Sequence, residues 1–197
     1  MVRGRLVFIS GGVRSGKTAF AENWLVTHAS GRLVYVATGR PVDGEMRDRI
    51  RHHRRDRSAR PESWETFERP ADFPGILPMI REGDGVLIDC ITTWLANEMY
   101  EGIESGLPCH RRQGCLETKV GALLAALSEM TEKASAIVVV SNEVLEEPLP
   151  AAADIGAYSE MLGYIHQQLV SMADIAYEMD AGIPLWWKPE NGKRGMV

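Results

Sequence analysis

The stretch Gly11-Gly12-Val13-Arg14-Ser15-Gly16-Lys17-Thr18 has the spacing G-x-x-x-x-G-K-[ST]. These residue types at this spacing suit phosphate. The glycines let the main chain curl until its N–H groups converge on an anion, and a helix that begins at the loop adds the positive potential of its unpaired amides. Lys17 can then reach the β- and γ-phosphates of a nucleoside triphosphate, and the Thr18 hydroxyl can ligate Mg²⁺. Both flanks agree with that use. Leu6-Val7-Phe8-Ile9 reads as a buried strand, and Lys17 to Thr27 as a helix. A second candidate is Asp89, which ends the apolar run Val86-Leu87-Ile88 in the manner of a Walker-B carboxylate and would support the metal directly or through water. Glu143 follows the run Ile137–Val140 and reads equally as another carboxylate at the same edge or as an ordinary loop residue.

A third group of residues is unusual for its density of charge. Between Arg47 and Arg60 stand seven arginines and two aspartates, a local charge of 7 − 2 = +5. The segment Asp43 to Arg57 reads as a helix with Asp43 as its N-cap. Successive helical residues point about 100° apart, so His52 and His53 cannot face one site, and a zinc pair on a helix prefers a spacing of three or four. Two readings stand: a solvated basic face, or a helix that presents one histidine to an anion. In the second, the surrounding cations attract phosphates and lower the imidazole pKa, which favours the neutral, nucleophilic form. Such a histidine can carry a covalent intermediate.

The elements that would position these groups alternate along the chain. Short β-branched runs at 6–9, 33–36, 86–88 and 137–140 read as strands, with helices over 116–133 and 157–173 flanking the last of them. Residues 175–178 and 184–187 read as two short closing strands, and residues 101–114 as an exposed loop. Continuous apolar strands separated by helices predict a three-layer α/β/α domain of the P-loop NTPase type, its sheet mostly parallel. One such nucleotide-binding domain accounts for residues 1–197, with 188–197 as a loose tail.

Composition narrows the function. The formal net charge of −5 argues against a general nucleic-acid binder, which needs a broad basic surface. No apolar run approaches the roughly 18 residues of a membrane span, and the amino terminus lacks a secretory pattern. Three cysteines are too few for a disulfide framework, which points to a reducing compartment, the cytoplasm. Cys109-His110 and Cys115 read as incidental and not as metal ligands, and Cys90 as a small buried residue. Trp64, Trp94, Trp186 and Trp187 read as packing residues in preference to a groove for a large ligand. His28 and His166 carry no functional argument.

The chain resembles the bifunctional adenosylcobinamide kinase/adenosylcobinamide-phosphate guanylyltransferase family of cobalamin biosynthesis. The resemblance rests on Ser10 to Thr18, Tyr35-Val36-Ala37-Thr38, Asp43-Gly44-Glu45-Met46, Arg49-Ile50 with His52, and Trp64-Glu65-Thr66. It continues in Leu87-Ile88-Asp89-Cys90-Ile91-Thr92-Thr93-Trp94-Leu95 with Asn97, and in Ser141-Asn142-Glu143-Val144. It implies an enzyme that phosphorylates adenosylcobinamide with ATP or GTP, then takes GMP from GTP onto His52 and passes it to the phosphorylated corrinoid. Lys17 and Asp89 would join His52 in catalysis. Gly11, Gly12, Val13, Arg14, Ser15, Gly16, Lys17, Thr18, Arg49 and Glu65 would bind nucleotide, and Thr18 and Asp89 would hold Mg²⁺. The resemblance also implies a homotrimer with sites between subunits. In the last third the pattern departs: Leu145-Glu146-Glu147-Pro148-Leu149-Pro150 stands where the family has Gly-x-Gly-x-Val-Pro, and Ser159-Glu160 where an Arg-Asp pair is expected. The departure bears on corrinoid recognition more than on the nucleotide. A small-molecule kinase of other specificity and a nucleotide-gated regulatory protein are the alternatives.

Overall fold

A computed structural model of the protein describes residues 3–40, 62–143 and 153–188. The helix expected over 43–57, with Arg49 and His52, lies outside the described residues, as do 144–152 and most of the expected tail. The elements run β1 (Arg5–Gly11), α1 (Lys17–His28), β2 (Leu33–Ala37), β3 (Trp64–Glu68), a 3₁₀ turn (Phe73–Met79), β4 (Gly85–Asp89) and α2 (Ile91–Met99). After two short 3₁₀ turns follow α3 (Cys115–Met130), β5 (Ala136–Val140), α4 (Ala153–Met172), β6 (Ile175–Asp180) and β7 (Ile183–Lys188).

The seven strands form one sheet in the order β3-β2-β4-β5-β1-β6-β7. Every pair is parallel except the β6–β7 hairpin, so the closing strands fall where the apolar runs predict them. The period-2 alternation of each strand sorts its side chains between two cores. Leu6, Phe8, Val34, Val36, Val86, Ile88, Ile137 and Val139 pack beneath α2, α3 and α4. Val7, Ile9, Tyr35, Leu87, Val138 and Val140 pack against Ala21, Trp24 and Leu25 of α1. The three-layer α/β/α architecture is therefore present, and both faces of the central strands are dry, which is why they read as unbroken apolar runs.

Four features depart from the sequence expectations. Strand β3 is absent from them because Trp64-Glu65-Thr66-Phe67-Glu68 pairs with β2 on one side only, and a sheet edge tolerates charge. Helix α2 is also absent: nine residues that open on Ile91-Thr92-Thr93 make a short, weak local signal, and burial of Ile91, Trp94, Leu95 and Met99 holds it in place. The stretch 101–114 is more than an exposed loop, because Cys109 is wholly buried in the core and disulfide-bonded to Cys115 at the start of α3, with Cα atoms 5.5 Å apart. Those sulfurs are bonded to each other, and Cys90 is the free cysteine. Finally, Trp94 packs in the core, but Trp186 and Trp187 on the edge strand β7 are 58% and 70% exposed, so packing does not account for all the tryptophans.

Candidate active site

The phosphate loop leaves β1 at the carboxyl edge of the sheet. Gly11 must be glycine there: its φ is +152°, and a Cβ would lie 2.5 Å from the Met179 carbonyl oxygen. Gly16, at φ +87°, caps the start of α1 without a side-chain hydrogen bond. Arg14 also adopts a left-handed φ of +62° and points into solvent with Gly12 and Val13. Lys17 is buried, and its Nζ donates to the Gly12 carbonyl at 2.8 Å, so the lysine lies across the loop that it serves. The Ser15 hydroxyl is buried with no hydrogen-bond partner among the described residues, a donor left over in a phosphate-binding turn.

Sequence reasoning missed what supports this loop from behind. The β6–β7 turn donates the Gly182 N–H to the Ser15 carbonyl at 3.1 Å, and Glu143 donates its N–H to the Gly11 carbonyl at 2.8 Å. The local signal for the first was Ala181-Gly182, which adopts φ values of +47° and +87°. Nothing local tells that a hairpin at the far end of the chain closes on the loop.

Asp89 ends β4 and reaches the loop across β5. Thr18 Oγ1 donates to its Oδ2 at 3.1 Å, and the Tyr35 hydroxyl donates to the same oxygen at 2.6 Å. Among the described residues no lysine or arginine pairs with Asp89. A hydroxyl and a carboxylate side by side, both hard oxygen donors next to a phosphate loop, are the donor set that Mg²⁺ prefers. Glu65 is placed elsewhere. Ala37 is level with both Asp89 and Glu68, whereas Glu65 lies three residues nearer the amino end of β3, paired with Arg32.

Behind Asp89 a network joins the resembling motifs. Thr38 Oγ1 accepts from the Cys90 N–H and donates to its carbonyl, both at 2.8 Å, and Asn97 Nδ2 donates to the Thr38 carbonyl at 2.8 Å. Asn142 Nδ2 donates to Thr92 Oγ1 at 2.8 Å, and the Tyr158 hydroxyl to the Thr92 carbonyl at 3.2 Å. Burial pushes the Tyr158 phenol up to about 12 and also raises the Cys90 thiol, so both stay protonated and act as neutral contacts.

His166, which carried no argument in sequence, is part of the same edge. Its Nε2 lies 2.7 Å from the Ser141 hydroxyl, and its ring packs 5.2 Å from that of Phe8. Burial holds the imidazole below its usual 6.5, and Glu143 pulls weakly the other way. The unfolded chain therefore takes up the proton first. Stability from the neutral imidazole is complete above pH 6.5 and is lost as pH falls from there toward the lower folded value. Urea midpoints across that range should fall with acidification, and His166→Gln should flatten the slope. An equal slope in the variant would discard this assignment.

Fold and site together define a nucleotide-binding domain of the P-loop α/β class. Solved ATPases share the fold: a prototypical ATPase of a bacterial type III secretion system aligns with a TM-score of 0.53 at 13% identity, over 93% of this chain and 57% of that one. The assembled ATPase EscN of enteropathogenic E. coli gives 0.52 at 14% identity, over 90% and 43%. Sequence comparison is more specific. The family model for cobinamide kinase / cobinamide phosphate guanyltransferase matches residues 7–186. The bifunctional adenosylcobalamin biosynthesis protein CobP of Pseudomonas aeruginosa is 33% identical over 92% of this chain and 96% of its own length. The CobU protein of Escherichia coli K12, of the same description, is 29% identical over 90% and 97%. The chain belongs to the cobinamide kinase / cobinamide phosphate guanyltransferase family, and it is an enzyme of cobalamin biosynthesis.

Proposed function

We propose that the protein phosphorylates adenosylcobinamide and then converts the product to its GMP derivative through a guanylyl-histidine at His52. The contact between Thr18 and Asp89, 3.1 Å at the carboxyl edge, carries the nucleotide part of this reading. It ties the phosphate loop to the one strand-end carboxylate of the motif. Family membership supports the corrinoid part.

In the first reaction the substrate hydroxyl oxygen attacks the γ-phosphorus of ATP or GTP, and the nucleoside diphosphate leaves. The loop amides and Lys17 hold the phosphates in line, so most of the catalysis is positioning and charge stabilisation. Mg²⁺, when bound at Thr18 and Asp89, neutralises phosphate charge. In the second reaction a neutral His52 nitrogen attacks the α-phosphorus of GTP and pyrophosphate leaves. The corrinoid phosphate then attacks the same phosphorus, breaking the N–P bond and regenerating the imidazole. Arg14, Arg49 and neighbouring arginines would balance the charge. The resemblance gives Glu65 a nucleotide contact, but its place three residues from the carboxyl edge, paired with Arg32, does not support a role at the phosphates. We carry over the homotrimer from the resemblance and place the enzyme in the cytoplasm with its nucleotides. No helix among the described residues is long and apolar enough to cross a membrane.

The test is to incubate the protein with GTP labelled at the α-phosphate, denature it and follow the label. Acid-labile, base-stable label that His52→Ala eliminates, with phosphorylation of adenosylcobinamide retained by the variant, is the expected result. Label that survives in His52→Ala, or no label in the wild type, would refute the histidine intermediate.

A further inference from the structure

Asp89 is held by a residue that the phosphate-loop motif does not contain. Two donors, Thr18 and Tyr35, converge on its Oδ2, and the shorter bond is from Tyr35, at 2.6 Å. A phenol donating to a carboxylate is a charge-assisted hydrogen bond, shorter and stronger than one between neutral groups. The other oxygen, Oδ1, has no donor among the described residues.

The sheet explains how this arises. Tyr35 on β2 stands opposite Leu87 on β4, and Asp89 follows two residues later on the same face. The phenol spans that offset between the two parallel strands and ends on the carboxylate. The ring cannot swing away, because it is 95% buried in the α1-side core and meets the Trp64 ring edge-on, with centroids 6.4 Å apart. Tyr35 is thus a rigid donor bolted to one strand, aimed at a carboxylate at the end of the next.

We propose that Tyr35 is a positioning residue for the divalent cation of the nucleotide complex. By occupying Oδ2 it sets the rotation of the Asp89 carboxylate, so that Oδ1 is the oxygen offered to the ion or to its water. Thr18, whose proton is spent on Oδ2, keeps its lone pairs for the same purpose. Tyr35 itself touches neither nucleotide nor metal; it acts through Asp89, as the partners of metal-binding carboxylates do. The inference rests on the reading of Thr18 and Asp89 as the cation seat, and the test separates the two.

The experiment uses the full-length protein with ADP and with Mn²⁺ as the probe, free Mn²⁺ being read by electron paramagnetic resonance. Tyr35→Phe removes one oxygen and keeps the ring. It is expected to weaken Mn²⁺ binding to the protein–ADP complex by about 10-fold, while ADP affinity in EDTA and the urea midpoint stay at the wild-type values. Unchanged Mn²⁺ affinity in Tyr35→Phe would overturn the proposal. An equal loss with and without metal would also overturn it, since that is the signature of a merely structural residue. Asp89→Asn is the parallel arm. If it too leaves Mn²⁺ affinity unchanged, the cation seat itself is wrong; if it weakens Mn²⁺ and Tyr35→Phe does not, the seat stands and only the role of Tyr35 falls.

Discussion

Lys17→Ala is expected to lower kcat/KM of both proposed nucleotide-dependent reactions by on the order of 10²–10³, the usual cost of deleting one preorganised charge from a transition state that spreads negative charge over phosphate oxygens. Lys17 opens α1, is 6% exposed and spans the loop to the Gly12 carbonyl. Its ammonium is therefore already desolvated and confined beside the loop before any substrate binds, and little reorganisation is left for the reaction itself. Lys17→Arg should not restore activity, because a planar guanidinium cannot take the place of a compact ammonium in a tight turn. Steady-state kinetics for each reaction, together with ADP affinity by calorimetry, checks the prediction. A loss below 10-fold in both reactions would show that the loop amides and helix N-terminus suffice without the lysine.

The largest effect on stability is expected far from the phosphate loop, at Lys119→Met. Glu98 of α2 has a side chain only 2% exposed, and it is paired with Lys119 of α3 while its Oε1 accepts the Asp72 N–H at 2.9 Å. Glu101 lies 3.6 Å from the same ammonium. Methionine keeps the methylene packing of the lysine stem but removes the charge, leaving a buried carboxylate with one main-chain donor. The carboxylate is buried while the Lys119 side chain is 26% exposed, so the loss is expected to stay below the about 3–5 kcal/mol of a fully buried pair, at about 2–3 kcal/mol, against a total stability of about 5–15 kcal/mol for an ordinary domain. Denaturant unfolding of the variant should show a loss of this size. The double variant Glu98→Met/Lys119→Met should recover the part due to the unpaired charge, while the Asp72 N–H loses its acceptor. A single-variant loss under about 1 kcal/mol would mean that water reaches Glu98 in solution.

The phosphate loop and the strands around it were legible because their signals are local. Gly11, Gly16, Lys17 and Thr18 lie within one turn of chain, and no strand other than one buried on both faces reads as Val86-Leu87-Ile88 or Ile137–Val140 do. The same holds for Asp89, whose place at a strand end follows from where the apolar run stops. What stayed illegible was held by distant partners. Strand β3 exists because β2 offers it a ladder, and α2 because its apolar side finds the sheet. The Cys109–Cys115 bond depends on a turn that returns Cys109 to the core, and three cysteines alone could not reveal it.

The sequence by itself determined the class of chemistry: residues that bind phosphate must be contiguous, because one turn of backbone makes the cradle. It also determined the family, since many short motifs in order exclude coincidence. The tertiary structure alone decided what holds those residues in place. Tyr35 meets Asp89 across 54 positions of sequence, Gly182 braces Ser15 from the opposite end of the chain, and His166 of α4 reaches Ser141 at the end of β5. Such contacts carry no local signature, because a hydrogen bond between strands or helices depends on register and on the order of the strands, and both are properties of the assembled sheet.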